Sequence, residues 1–382
     1  MDANEFDNIR PYTDEETVAA MERIARHPML PVISKYLFPD EPVGTLSKKL
    51  LSIHSTDEFQ DQVMIEIVAL IVRNSSAGFT CSGMEHLESM GERSFLAISN
   101  HRDIVLDPAL VQYVMYSTGR PYTQICVGSN LLSSWLIEDL MRCNRMIKVI
   151  RGISARQLYL SSQNLSRYIR ETITSNTAPI WIAQREGRTK NGLDSTEQGL
   201  LKMFDMSGKG TFEENFRELN ILPMSISYEY EPCDSRKARE TLLRREGPYT
   251  KKPKEDLHSI LTGIRQQKGH IHLAFGAPLS EEEIAEAARA DKNERYQTIR
   301  HILDRRIIGG YKLWKTNYIA HDMLHGRSEY LKEGFYTEAD REEFDDYIAH
   351  KLGKLEWRLD HAALRYLFLN IYAGPVDSKK EL

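Results

Sequence analysis

Apolar residues in the middle of the chain follow two alternating patterns. Between about residues 90 and 280, short continuous apolar runs bounded by Gly, Asn, Pro or Ser alternate with longer segments of helical periodicity. The runs predict strands at 94–99, 123–128, 146–150, 179–184, 222–230 and 271–275, and the periodic segments predict helices at 108–117, 130–143 and 154–173. Strands separated by helices favour a mostly parallel central sheet flanked by helices, which is an α/β fold.

Helical periodicity dominates both ends of the chain. Two capping boxes, Thr13-x-x-Glu16 and Ser55-x-x-Glu58, each precede a periodic apolar segment, so residues 1 to about 80 are predicted to be helical. After about residue 280 the helical pattern resumes and continues to about residue 372. We therefore expect an N-terminal helical region at 1–85, a central domain at 86–310 and a C-terminal helical extension at 311–382.

Two further segments differ from their surroundings. The polar segment 233–257 contains several arginines and lysines and is predicted to be an exposed insertion. A solvated loop is its ordinary interpretation, and a surface for anionic lipid head groups or an acidic carrier protein is the alternative. The strongest apolar run, 64–72, contains Glu66 and is too short to span a bilayer, so we expect a core helix there.

Composition excludes several classes of protein. The 382 residues carry a formal net charge of −5, so no nucleic-acid partner is expected, and attraction for an acidic ligand must be local. The four cysteines lack CxxC spacing, which argues against a zinc or disulfide framework and fits a reducing compartment. The acidic N-terminus has no apolar core, so we expect no signal peptide. The prediction is a cytoplasmic protein whose only membrane contact is peripheral, on the inner face.

The predicted strand 94–99 leads directly into candidate acid–base chemistry. It is followed by Asn100-His101-Arg102-Asp103, and Asp107 precedes Pro108 a few residues later. A neutral imidazole can accept a proton from a hydroxyl at pH 7 when a carboxylate holds its other nitrogen, and either Asp107 or Asp103 can hold His101. The structural alternative is an ordinary helix N-cap at Asp107 with proline at the first helical position.

Arg151-Gly152 follows the predicted strand 146–150. The capping box Ser154-x-x-Gln157 starts a helix immediately afterwards, and the free N–H groups and positive dipole end of that helix face the same space as Arg151. The pattern indicates an anion-binding loop. An exposed arginine beside a routine cap is the alternative.

The segment 185–190 follows the predicted strand 179–184 and concentrates cations around Gly187. The guanidinium fork of Arg188 suits bidentate phosphate binding, and Lys190 would add a point charge. Glu186 would orient the arginines or contact an acceptor hydroxyl. A solvated charge run is the ordinary interpretation, yet one base and two anion-binding loops suggest transfer of a group to a hydroxyl of a phosphorylated acceptor.

Histidine pairs elsewhere give weaker signals. His321 and His325 have the spacing of metal ligands on a helix, and His270 and His272 lie on one face of a strand. The sequence places no third acidic or cysteine ligand with either pair. We therefore expect no metal site.

Taken in order, these segments resemble the blocks of the glycerolipid acyltransferase superfamily. The matches are 100–107 for the NHx4D box, 150–152 for the arginine-containing block, 186–192 for the EGxR-type block and 221–226 for the block with a buried proline. His101-Arg102, Lys190-Asn191-Gly192 and Lys268-Gly269 look more like glycerol-3-phosphate acyltransferases than lysophosphatidate acyltransferases. The resemblance covers roughly residues 90–310. It departs from the family at HxxxxxD, which has one residue more, and at a third block that is shortened to Glu-Gly-Arg.

The resemblance implies acyl transfer from a thioester, on CoA or acyl carrier protein, to glycerol 3-phosphate in phospholipid synthesis. It implies that His101 deprotonates the acceptor hydroxyl and that Asp107 fixes its tautomer, with Asp103 as the rival. Arg151, Arg188 and Lys190 would hold the acceptor phosphate, together with Glu186 and Gly187 of the third block. The reaction requires no cofactor or metal.

Two alternatives to this function remain at the level of sequence. Lysophosphatidate or another lysolipid would be the acceptor in the first. The second is a non-catalytic phospholipid-binding protein with the same fold, which the lengthened His–Asp spacing favours. A hydrolase is disfavoured because the chain has no GxSxG elbow.

Overall fold

The computed structural model of the protein describes residues 5–132, 134–250 and 254–382. Residues 1–4, residue 133 of the predicted helix 130–143 and residues 251–253 of the polar segment lie outside these ranges. Within them the strands are β1 Gly78–Ser82, β2 Leu96–Ser99, β3 Gln124–Gly128, β4 Met146–Val149, β5 Ile180–Ala183, β6 Ile221–Tyr228 and β7 His270–Phe275. All of the six predicted strands are present, with ends within two residues of the predicted ones.

These strands form one sheet in the order β1-β7-β6-β2-β5-β3-β4. Neighbouring strands are parallel except β6 and β7, which are antiparallel. The mostly parallel α/β sheet predicted from the sequence is therefore confirmed. Register aligns the last residues of β2 and β5, because Ser99 lies opposite Ala183, and on its other side Ser99 lies opposite Met224 within β6. The carboxyl ends of β2, β5, β3 and β4 consequently share one edge of the sheet.

Helices cover both faces of the sheet and form both ends of the chain. In chain order they are α1 Asp14–Ala25, α2 Leu30–Leu37, α3 Thr45–Leu51, α4 Thr56–Phe59, α5 Ile65–Ser75, α6 Met84–Ser89, α7 Leu106–Ser117, α8 Trp135–Cys143, α9 Ala155–Thr174, α10 Gln198–Asp205, α11 Phe212–Arg217, α12 Asp234–Glu246, α13 Glu255–Arg265, α14 Glu281–Ala288, α15 Glu294–Gly310, α16 Lys315–His325, α17 Glu329–Lys332, α18 Glu338–Leu352 and α19 His361–Lys380. A π-helical turn, Gln60–Met64, joins α4 to α5, and a 3₁₀ turn, Ser129–Leu131, follows β3.

The central strands are buried on both faces because side chains alternate along a strand. Leu96 and Ile98 of β2 join the hydrophobic core beneath α9 and α15. Ala97 of the same strand joins the opposite core, beneath α5 and α7. This double burial explains why the strands appear in the sequence as continuous apolar runs.

Strand β1 is where the helical prediction for residues 1 to about 80 is wrong. Gly78–Ser82 pairs in parallel with β7 at the edge of the sheet, and its side chains are at most half-buried. An edge strand of Gly, Thr, Cys and Ser has too little apolar alternation to be recognised from sequence. The range 1–85 thus contributes a strand to the sheet, while the proposed domain boundaries stay a prediction.

The sequence predicts an exposed insertion at the polar segment 233–257, and that prediction is wrong for the first half of the segment. The structure has a helix there, α12, which packs against α19 and buries Asp234 and Lys237. Asp234 accepts hydrogen bonds from the hydroxyls of Tyr347 (2.6 Å) and Tyr372 (2.9 Å), and Lys237 donates to Glu231 (2.6 Å). Charged side chains can be buried when they are paired in this way, and hydrophobic periodicity does not reveal such pairing.

None of the helices in the described ranges is long and apolar enough to cross a bilayer. The apolar run 64–72 contributes to α5, whose residues Ile65, Val68 and Ile71 are buried in the protein core. The core-helix prediction for this run is confirmed.

Candidate active site

His101 lies just beyond the carboxyl end of β2, with its ring facing Asp107. The ring nitrogen Nδ1 is 2.8 Å from Oδ2 of Asp107. The carboxylate is fully buried, whereas the His101 side chain keeps 16% of its surface exposed. With a proton on Nδ1, this arrangement leaves Nε2 as an acceptor, which is the form that a general base needs.

Three further donors hold the Asp107 carboxylate in place. Backbone N–H groups of Arg102 (2.6 Å) and Asp103 (2.9 Å) donate to Oδ2, and the hydroxyl of Tyr228 donates to Oδ1 (2.7 Å). Burial, followed by the negative charges of Asp107 and Asp103, raises the pKa of Tyr228 well above its usual value, so the hydroxyl stays protonated. These donors therefore fix the position of the carboxylate beside His101.

The helix α7 begins before Asp107, at Leu106, so Asp107 lies in the first turn and is not the N-cap that the structural alternative required. A turn at 104–105 accommodates the additional residue of the HxxxxxD spacing. The lengthened spacing thus does not separate the two side chains.

Asp103 has a different position from Asp107. Its Oδ1 accepts hydrogen bonds from the backbone N–H groups of Val105 (2.9 Å) and Leu106 (2.8 Å), which stabilises the start of α7. Its other oxygen is buried, packs against Gly263 of α13 and has no hydrogen-bond partner among the described residues. A side chain at position 263 would collide with this carboxylate.

A buried polar cluster fixes the backbone around His101. Arg102 is fully buried, forms an ion pair with Asp194, lies 3.6 Å from Glu231 and stacks 4.7 Å from the ring centre of Tyr311. Lys237 donates both to the Arg102 carbonyl (2.7 Å) and to Glu231 (2.6 Å). These pairs compensate two buried cations and hold the residue that follows His101.

Asn100 connects β2 to β6 at the same edge. Its side-chain oxygen accepts from the Ile226 N–H (2.8 Å), and its amide donates to the Ile226 carbonyl (3.0 Å) and to Asp194 (3.2 Å). Sequence reasoning missed Asp194, Glu231, Lys237 and Tyr228. Tyr228 had a usable signal, since it ends a predicted strand, whereas the other three lie in polar segments without a motif.

The third block contacts His101 through its backbone. The Thr189 N–H donates to the His101 carbonyl (3.0 Å), and Gly187 turns the chain with a φ of +70°. Arg188 is half-buried, and its Nη1 is buried without a hydrogen-bond partner among the described residues. Arg188 lines a small, highly charged pocket whose other lining residues are Arg236, Lys237, Arg239, Glu240, Glu255 and Ser259.

The other predicted cations are already paired. Nζ of Lys190 is 2.7 Å from Oε1 of Glu240, and Nη1 of Arg151 is 2.9 Å from Oε1 of Glu186. The Arg151–Glu186 pair joins the loop after β4 to the loop after β5, with 32% and 70% of the two side chains exposed. The capping box Ser154–Gln157 is present at the start of α9.

All predicted site residues consequently lie beyond the carboxyl ends of β2, β4 and β5, on one edge of the sheet. His101 contacts Asp107 and is joined through Thr189 to the segment that carries Arg188. Arg151 lies with Glu186 at the exposed rim. His270 and His272 do not converge: His270 pairs with Glu229 (2.8 Å), and the two ring nitrogens of His272 contact Thr80 and Ser82, each at 2.8 Å.

Comparison with known families agrees with this geometry. Residues 78–227 match the profile of the family described as Acyltransferase, a range that begins at β1 and ends in β6. No curated protein matches the sequence. Residues 78–227 are therefore similar to an acyltransferase domain, which supports a general acyltransferase role.

Proposed function

We propose that the protein transfers a fatty acyl group from a CoA or acyl-carrier-protein thioester to glycerol 3-phosphate in phospholipid synthesis. The observation that carries the proposal is the 2.8 Å contact between His101 Nδ1 and Asp107, one hydrogen bond away from the segment with Arg188. This arrangement brings a base for the acceptor hydroxyl, His101, near a cation for the acceptor phosphate, Arg188.

The reaction follows from the two nitrogens of His101. Asp107 holds the proton on Nδ1, and Nε2 takes the proton of the acceptor hydroxyl as the oxygen attacks the thioester carbonyl carbon. The C–S bond then breaks, and the imidazolium returns its proton to the departing thiolate. Base catalysis of this kind supplies about 10²–10⁴ in rate, and the remainder comes from positioning two substrates together.

The acceptor phosphate is assigned first to Arg188. Its Nη1, which has no hydrogen-bond partner in the part of the chain that the structure describes, and its fork geometry suit a phosphate, and Arg236 and Lys237 add positive charge around the same pocket. Gly187 provides the turn that places Arg188. Lys190, held by Glu240, contributes charge at longer range.

Arg151 and Glu186 are assigned to the rim of the site. An exposed ion pair contributes little stability, so Arg151 can exchange Glu186 for a substrate phosphate at small cost. Glu186 is then the residue that orients Arg151 before the substrate binds.

The charged lining of the Arg188 pocket favours a compact acceptor. Four of its seven lining residues are cationic and two are acidic, so charged groups that can form ion pairs predominate in its walls. Glycerol 3-phosphate matches such a pocket better than lysophosphatidate does.

The proposed location is the cytoplasm, with peripheral contact to the inner face of the membrane. Met29 and Val32 near α2, and Leu158, Tyr159 and Leu160 near the start of α9, are exposed apolar residues that suit an interfacial contact. Co-sedimentation with anionic vesicles that disappears in Leu158→Glu/Leu160→Glu is expected. Equal sedimentation of that variant and the wild type would remove α9 from the contact.

An acyl-transfer assay tests the function directly. Radiolabelled acyl-CoA and acyl carrier protein are offered with glycerol 3-phosphate, lysophosphatidate or other lysolipids, and label is expected on glycerol 3-phosphate. His101→Ala should lower kcat by about 10²–10⁴-fold while equilibrium binding of the acceptor persists. His86→Ala, on the remote helix α6, is the matched control and should retain activity.

Three other outcomes of the assay would each change the proposed function or mechanism. Label on lysophosphatidate alone would move the protein to the lysolipid class. Phospholipid binding without any transfer would make it a binding protein with this fold. Unchanged turnover in His101→Ala would remove the base from the mechanism.

A further inference from the structure

A cluster of metal-type ligands lies in the C-terminal helices, apart from the acyltransferase site. His321 and His325 are one turn apart on α16, and Asp377 of α19 faces them. One ligand atom from each of the three residues lies within 4.8 Å of the other two. The sequence alone does not reveal Asp377 as the third ligand, because this carboxylate comes from a helix much later in the chain.

The chemistry of this cluster matches a transition-metal site. Two imidazoles and one carboxylate form a ligand set that zinc and its neighbours accept, with a fourth position left for water. The centres of the two imidazole rings are 4.5 Å apart, and His321 Nε2 is 3.2 Å from Asp377 Oδ1. The three groups need only small rotations to share one ion.

The burial of His321 is a second observation that points to a ligand. Only 2% of this residue is exposed, and its Nδ1 has no hydrogen-bond partner among the described residues. Tyr330 packs edge-on against the ring, with 5.3 Å between ring centres. This packing holds the buried ring with Nε2 facing Asp377, which is the nitrogen that would bind the ion.

Lys380 is the group that competes with a metal. Its Nζ lies 3.5 Å from His321 Nε2, so in the metal-free arrangement an ammonium occupies the position next to Asp377. Lys380 itself is exposed near the end of α19, and its long side chain can move into solvent when a dication binds. This competition predicts the direction in which a Lys380 variant changes the metal affinity: removal of the ammonium should tighten metal binding.

We propose that His321, His325 and Asp377 bind one divalent transition-metal ion, with Zn²⁺ as the best match. The ion would clamp α19 to α16. The same stretch of α19 packs against the third block, since side chains at Gly192 or Gly374 would collide with Ile371 and Asn191 respectively. Metal binding therefore stabilises the helix that supports the loop before Asp194.

The test measures binding and stability of the full-length, untagged chain after chelation. Zn²⁺ titration by calorimetry should give one equivalent per chain, Co²⁺ should give the visible absorption of a four-coordinate site, and Zn²⁺ should raise Tm. His325→Ala and Asp377→Asn should each weaken Zn²⁺ binding by more than about 100-fold, since loss of an outer-shell partner alone costs 10–100-fold.

Two variants sharpen the result. Lys380→Ala should tighten Zn²⁺ binding, in the opposite direction to the ligand variants. His350→Ala, an exposed histidine on α18, should leave it unchanged. His325 is exposed, so its replacement should not disturb the fold, and circular dichroism checks this.

Three outcomes overturn the proposal: no binding by the wild type at millimolar Zn²⁺, binding that His325→Ala retains, or a Tm that does not respond to Zn²⁺. None of them bears on the acyltransferase assignment, which rests on the His101–Asp107 contact and on Arg188.

Discussion

The two halves of the candidate active site are built differently. The inner half, formed by His101, Asp107 and the cluster around Arg102, is buried, and its charged groups are paired and hydrogen-bonded. The outer half, formed by Arg151, Glu186, Arg188 and Lys190, is half-buried or exposed. Both halves lie on the same edge of the same sheet, so the difference comes from the loops and helices that cover them.

The difference matches two physical requirements. A general base must hold one tautomer and one orientation, and buried hydrogen bonds provide that at the cost of desolvating charges. A phosphate-binding group must instead exchange one partner for another, and an exposed ion pair does so cheaply. The inner half is thus suited to positioning a proton acceptor, and the outer half to capturing an anion.

The first prediction tests the inner half and has the largest expected effect. In Asp107→Asn the amide nitrogen must face one of four donors: the His101 ring, two backbone N–H groups or the Tyr228 hydroxyl. The orientation and tautomer of His101 are then lost, and kcat should fall by about 10²–10⁴-fold. Steady-state kinetics, with thermal unfolding to verify the fold, measure the effect.

The rival carboxylate supplies the control. Asp103→Asn removes a group that caps α7 and leaves the His101–Asp107 contact in place, so it should lower Tm while kcat stays close to wild type. If Asp103→Asn abolishes turnover and Asp107→Asn does not, the roles of the two carboxylates are reversed.

The second prediction compares the same chemical change in both halves. Asp194→Asn uncouples the buried Arg102 and should lower the free energy of unfolding by about 3 kcal/mol. Glu186→Gln uncouples the exposed Arg151 and should lower it by less than about 1 kcal/mol. Urea unfolding of the two variants beside the wild type measures the contrast, and equal losses would contradict the division into halves.

The same contrast explains what could be predicted from sequence. Continuous apolar runs located six of the seven strands of the sheet. A parallel sheet puts the ends of its strands at one edge, and His101, Arg151 and Arg188, which follow β2, β4 and β5, lie at that edge. Local periodicity is enough for these inferences, because a central strand that is buried on both faces appears in the sequence as a continuous apolar run.

Pairing between charged residues that are distant in the chain produces no recognisable pattern in the local sequence. The sequence predicts that Lys237 and Asp234 of α12 lie in a solvated segment. A single amino-acid sequence does not distinguish a buried, paired lysine from an exposed one. Their partners, Glu231 and Tyr372, are specified only by the three-dimensional fold. For the same reason the sequence offered Lys190 as a phosphate ligand without indicating its pairing with Glu240.

The third prediction concerns the outer half. Arg188→Ala removes the guanidinium assigned to the acceptor phosphate, and a charge-assisted hydrogen bond of this kind contributes about 1.5–3 kcal/mol. The KM for glycerol 3-phosphate should therefore rise by roughly 10- to 100-fold, while kcat changes little. Arg156→Ala, an exposed cation on α9, is the matched control and should leave KM unaltered. An unaltered KM in Arg188→Ala would remove Arg188 from the phosphate site.

The fourth prediction separates the two halves by salt and has the smallest effect. Exposed charges are screened when the Debye length falls from about 10 Å at 0.1 M to about 3 Å at 1 M ionic strength, whereas buried pairs are screened much less. Raising KCl across this range should increase the acceptor KM several-fold through the outer half and leave kcat, set by the buried His101–Asp107 pair, nearly constant. In Arg188→Ala the salt dependence of KM should be weaker than in the wild type. A kcat that falls with salt as steeply as KM rises would mean that the base is solvated, and the contrast between the two halves would not hold.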